Sequence, residues 1–134
     1  NEEGLKYSKL FSPPVLLMTI AANIADTAIL DYEAAFPDSI VAISPKNDEI
    51  DLQYLNFALK QLRERLVALA PQMAQKNLKV EILKDFLIPV PPMDEQKRIA
   101  SVIQNELNAV HSSSTLIQSY TDKIKVRIES IWNK

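Results

Sequence analysis

With one histidine and no cysteine, this 134-residue chain has little from which to build a reactive centre. His111 stands beside Ser112, Ser113 and Ser114, but no glycine pair or strand-to-helix turn accompanies them to raise a serine nucleophile. A lone imidazole without cysteine cannot make a structural zinc site. Asp26, Asp31, Glu33 and Asp38 are the one acidic group that could attract Mg²⁺. They are spread through strand ends and turns without a cation-binding loop, so surface carboxylates are expected there. Residues suited to recognition are easier to find. Lys60, Arg63, Gln72, Gln75, Lys76 and Asn77 follow one another within a short span. Basic side chains position a protein on phosphates, and the amides of Gln and Asn match adenine edges. These six are the candidate DNA-binding residues.

Charge separates that span from its surroundings. The net charge is −2, yet residues 1–59 carry three Lys/Arg against nine Asp/Glu, and residues 60–84 carry six against two. The remainder is balanced, with six of each sign. A locally basic segment in an acidic chain could mark a nucleic-acid face, or only a solvated helix and loop. Gly4 is the single glycine, which rules out a glycine-rich phosphate loop or dinucleotide fingerprint. Turns must come from Asn, Asp, Ser and Pro. The lack of cysteine suits a cytoplasmic protein. No apolar run approaches the length of a membrane span. The start, Asn1 to Ser12, has little periodicity and no initiator Met, as expected at a cut edge of a longer polypeptide.

The elements that must position the candidate residues follow from periodicity. Val15 to Ile20 predicts a strand buried on both faces, Thr27 to Leu30 a second, and Ser39 to Ile43 a third. Asp51 is a good N-cap for a helix whose Leu52, Leu55, Leu59, Leu62, Leu66 and Leu69 form one apolar stripe. Pro71 ends it, and a polar loop holds Gln72 to Asn77. A turn at Val80 to Lys84 then leads to a strand, Phe86 to Ile88. Pro89, Pro91 and Pro92 stiffen the chain into an extended boundary. After them Asp94 is expected as the N-cap of a second helix.

That second helix carries a heptad pattern to the end of the chain. Ala100, Leu107, Ser114, Thr121 and Ile128 share one seam position, and Ile103, Val110, Ile117, Ile124 and Ile131 the other. Some 38 residues of helix would reach roughly 57 Å. Buried isoleucine is worth about 1.5–3 kcal/mol relative to exposed isoleucine, so the helix needs a partner, in its own full-length chain or another. The helix-packing set is Ile103, Leu107, Val110, Ile117, Ile124, Ile128 and Ile131. Tyr120 and Trp132 are expected to pack rather than to stack on bases.

The stretch Ile88-Pro89-Val90-Pro91-Pro92-Met93-Asp94-Glu95-Gln96-Lys97-Arg98-Ile99 resembles a signature of the specificity (S) subunits of type I restriction–modification systems, I-P-x-P-P-L-x-E-Q-x-x-I. Met93 replaces the usual Leu. The resemblance extends over about residues 15–131. It implies an α+β (mixed α/β) target recognition domain, truncated at its N-terminus, over residues 1–92, then a long coiled-coil-type helix over 93–134. Two segments depart from the family pattern. The family's T/S-R-x-G-x-x-G loop stands here as Thr19-Ile20-Ala21-Ala22-Asn23-Ile24-Ala25, and the segment before Asn77 also lacks glycine.

The resemblance also implies a function without catalysis. Such subunits read a split DNA sequence, and their long helices pack antiparallel, set half-site spacing and dock modification (methyltransferase) subunits. Through these they engage the restriction subunit. S-adenosylmethionine, ATP and Mg²⁺ are expected on the partner subunits and no cofactor in this chain. Double-stranded DNA is the expected ligand, no membrane is expected, and antiparallel self-association through the helix is a further expectation. The competing class is a helix-mediated protein-interaction adaptor that never touches DNA. Salt-dependent affinity for duplex DNA separates the two.

Overall fold

The computed structural model describes residues 9–69, 78 and 80–132. The chain divides into two compact units, Asn1–Lys97 and Arg98–Lys134.

The first unit is a small α+β body. Its strands are β1 (Val15–Thr19), β2 (Thr27–Leu30) and β3 (Ile40–Ile43). They form an antiparallel sheet in the order β2–β1–β3, with Leu16 opposite both Ile29 and Ile43. Because side chains alternate across a strand, Leu16 and Met18 point to the same face. Both are fully buried.

Helix α1 (Leu52–Leu69) covers that face. Its leucine stripe works as the periodicity predicts: Leu55 and Leu59 cluster with Leu16, while Leu66 joins Met18, Ile24, Ala25 and Leu78. The Asp51 cap is present, with Oδ1 accepting the Tyr54 N–H at 2.8 Å, which satisfies one of the donors left over in the first turn. Asn56, nearly buried on the same helix, accepts the Thr27 hydroxyl at 2.7 Å and so ties α1 to β2.

Three local expectations are corrected. Val80 to Lys84 is a short helix, α2 (Val80–Lys84), rather than a turn. Phe86 to Ile88 is not a strand. Phe86 donates its N–H back to Leu83, and Pro89 just beyond has no N–H to lend a ladder. The segment instead contributes side chains, since Phe86 and Ile88 pack on the two core clusters and Leu87 is 91% exposed. Asp94 is not an N-cap. Helix α3 (Met93–Trp132) begins one residue earlier, with the Pro92 carbonyl accepting the Gln96 N–H. Asp94 and Glu95 lie inside its first turn, where carboxylates still favour the positive helix end.

α3 runs unbroken for 40 residues, about 60 Å at the usual rise. Its Ser112, Ser113, Thr115 and Thr121 hydroxyls donate to carbonyls one turn back, which lets the polar run stay helical. Among the described residues no helix is long and apolar enough to cross a membrane.

Candidate functional site

Of the six candidate DNA-binding residues, Lys60 and Arg63 are described; Gln72, Gln75, Lys76 and Asn77 lie outside the described residues. Lys60 and Arg63 are exposed and one turn apart on α1, so they share a helix face. The Lys60 ammonium sits 5.7 Å from the Phe57 ring centroid. Arg63 is engaged differently: its Nη2 lies 3.1 Å from Asp26 Oδ1, with both side chains about half exposed. Asp26 therefore faces a guanidinium and has left the acidic group it shares in the sequence with Asp31, Glu33 and Asp38. No group of metal-ligating side chains forms among the described residues.

Asp26 closes the turn between β1 and β2, and that turn is held closely. The Thr19 backbone N–H donates to the Asp26 carbonyl at 2.9 Å, and the Ala25 N–H to the Thr19 carbonyl at 2.8 Å. The Thr19 hydroxyl accepts the Asp26 N–H and donates to the Asn23 carbonyl. Ala22 and Ala25 take left-handed conformations, with φ of 58° and 64°. For a residue with a Cβ this costs roughly 1–2 kcal/mol. These are the two positions where the resembling family pattern has glycine, so the backbone shape that glycine would supply is kept by alanine. Burial contributes to holding it: Ala25 is fully buried and Ile24 nearly so. The same turn is joined to Leu78. Leu78, which is buried, donates its N–H to the Ile20 carbonyl at 2.7 Å.

A second constellation lies where α3 begins. Gln96, fully buried, uses its amide in three directions. Nε2 donates to the carbonyls of Glu49 and Pro91, both at 2.8 Å, and Oε1 accepts the Asp51 N–H at 2.9 Å. The Tyr54 hydroxyl donates to the Pro89 carbonyl at 2.7 Å. Gln96 thus joins the first turn of α3, the proline segment and the entry to α1 through bonds a shorter or charged side chain could not all make. The glutamine of the signature has a structural reason that periodicity could not supply.

An apolar cleft of about 470 Å³ opens in the body, lined by Phe11, Phe36, Val41, Leu62, Phe86 and Ile88 among others. Among the described residues Lys84 is the one charged residue of its lining, and these residues present no acid–base pair.

On α3 the predicted packing residues are present as a stripe. Leu107, Val110, Ile117, Ile124, Ile128 and Ile131 are exposed, from 47% for Leu107 to 69% for Ile131, and Ile103 is half-buried. Tyr120 and Trp132 are exposed as well.

Residues 1–120 match the family model for the type I restriction modification DNA specificity domain. The specificity subunit of the type I restriction enzyme MjaVIII from Methanocaldococcus jannaschii is 23% identical over 120 residues, covering 90% of this chain and 28% of that protein. A chain from a structure of complex assembly and conformational transition in the type I R-M system superposes with a TM-score of 0.71. Its identity is 21%, over 87% of this chain and 29% of that one. The HsdS subunit from Thermoanaerobacter tengcongensis gives a TM-score of 0.65 at 22% identity, over 78% and 24% of the two chains. The chain therefore spans less than a third of each relative's length. The two structures share its fold, and the match over residues 1–120 shows that the chain belongs to the type I restriction modification DNA specificity domain family.

Proposed function

We propose that the chain recognises duplex DNA as the non-catalytic part of a type I specificity subunit, with residues 1–92 reading DNA and residues 93–134 serving as spacer and docking helix. The family match over residues 1–120 carries this proposal. Three further features support it. The basic span 60–84 sits in an acidic chain. Gln72, Gln75, Lys76 and Asn77 follow α1 in the sequence and precede the buried Leu78. The apolar stripe of α3 offers a surface that another helix would bury.

In this arrangement Lys60 and Lys76 neutralise phosphates, and Gln72, Gln75 and Asn77 meet base edges. The stripe from Ile103 to Ile131 docks methyltransferase subunits or a second long helix, antiparallel, and so sets half-site spacing. Chemistry belongs to the partners: methyl transfer from S-adenosylmethionine, and ATP- and Mg²⁺-dependent restriction. The expected compartment is the cytoplasm. The exposed isoleucines alone would equally suit an adaptor that binds proteins and not DNA.

A binding titration separates the two. In the complete subunit, Gln75→Ala and Lys76→Ala are compared with wild type on target and scrambled duplexes at two salt concentrations. Lys76→Ala should lower affinity for both duplexes and reduce the salt slope by about one unit. Gln75→Ala should cost roughly 1–3 kcal/mol of discrimination at one base pair. Unchanged slope and discrimination in both variants would leave the adaptor standing.

A further inference from the structure

We infer that Asp26 is a positioning residue that holds the Arg63 guanidinium ready to read a guanine edge in duplex DNA, an inference that rests on the DNA-binding function proposed above. Both ends of the pair are set on rigid ground. Asp26 lies on a turn fixed at its backbone by Thr19 and Asn23, between the left-handed Ala25 and the first residue of β2. Arg63 lies on α1 between the core-facing Leu59 and Leu66. A surface ion pair of long, mobile side chains contributes little to stability. Here the carboxylate is on a short side chain, and the Asp26 backbone N–H and carbonyl take part in four hydrogen bonds to Thr19 and Asn23.

The geometry also decides what Arg63 can bind. One Nη2–Oδ1 contact occupies one edge of a planar fork with five donors. The pair is neutral as a whole, so it makes a poor phosphate clamp, because phosphate affinity comes from counterions released by net positive charge. A guanidinium already held at one edge loses less freedom when its other donors engage a bidentate acceptor. Guanine O6 and N7 present such an acceptor pair in the major groove. Of the two described basic candidates, Arg63 is thus suited to base reading and Lys60, whose ammonium lies over the Phe57 ring, to phosphate.

The test uses the complete protein and a pool of duplexes randomised in sequence, from which bound molecules are recovered and sequenced. Asp26→Asn and Arg63→Lys are compared with wild type, and circular dichroism melts confirm that both fold. Each variant should lose preference for guanine at one and the same position, by about 5- to 150-fold, with the other positions intact. Arg63→Lys should keep the wild-type salt slope, since charge is retained while the fork is lost. Asp26→Asn binding all sequences more tightly, with no position losing preference, would show only a surface carboxylate repelling DNA and would overturn the inference. So would losses at different positions, or unchanged preferences in both variants while wild type still enriches a sequence. A wild type without sequence preference or salt-dependent affinity would instead remove the proposed function, and this inference with it.

Discussion

The body and the long helix solve the same problem in opposite ways. In the body, apolar side chains from segments far apart in sequence bury one another: Leu16 against Leu55 and Leu59, Met18 against Leu66 and Leu78. In α3 beyond its first turns, apolar side chains at seam spacing stand largely in solvent. The described part of the body thus buries apolar surface within itself, whereas the α3 stripe does not. A helix in isolation gains little from propensity and much from packing. On the function proposed above, reading and docking can then be altered separately.

The largest effect should come from truncating the core. Leu16→Ala or Leu66→Ala, each buried, should destabilise the body by about 2–5 kcal/mol in denaturant titrations. Ile117→Ala, at a residue 68% exposed, should change the isolated chain by no more than about 0.5 kcal/mol. Equal losses from both would break the contrast.

Gln96 comes next, because its removal leaves two carbonyls and one N–H without their partner. Gln96→Ala should cost on the order of 3 kcal/mol. Gln96→Glu sharpens this through pH. A buried carboxylate facing the Glu49 and Pro91 carbonyls would have its folded pKa raised above the unfolded value of about 4.3. Its deficit relative to wild type should be smallest below that unfolded value, and should grow as pH rises until the folded pKa is passed. Melting points measured across pH check the sign, and a deficit independent of pH would mean the carboxylate escapes burial.

Tyr54→Phe is a smaller test of the same junction. It removes the donor to the Pro89 carbonyl and should cost about 1 kcal/mol. The smallest change should be a gain. Ala22 is exposed at φ 58°, so Ala22→Gly relieves left-handed strain and should stabilise by about 0.5–1 kcal/mol after glycine's entropic cost. A loss at that position would mean the turn does not require the left-handed shape.

How much of this the sequence disclosed depends on the range of the interactions. The leucine stripe of α1, its Asp51 cap, the three strands and the heptad pattern of α3 are local and periodic, and all were legible. Phe86 to Ile88 misled because an apolar triplet between turn residues reads as a strand, and pairing is decided by neighbours rather than composition. Pro92 took the cap position expected of Asp94 because the prolines set where the helix starts. The roles of Gln96 and Asp26 were not legible. Gln96 reaches partners 45 and 47 residues away, and Asp26 meets Arg63 across the fold. The glycine-free turn looked like a loss of the family's loop, yet two alanines hold left-handed backbone there, which no residue type announces.

Hydrogen–deuterium exchange on the complete subunit, alone, with duplex DNA and with the proposed methyltransferase partner, tests the division between body and helix most directly. Slowed exchange on adding DNA should fall in the body, at the β1–β2 turn and the end of α1, and leave the α3 stripe from Leu107 to Ile131 unchanged. Slowed exchange on adding the partner should fall along that stripe and leave the turn unchanged. DNA protection confined to α3, or partner protection centred on the β1–β2 turn, would contradict the assignment of reading to the body and docking to the helix.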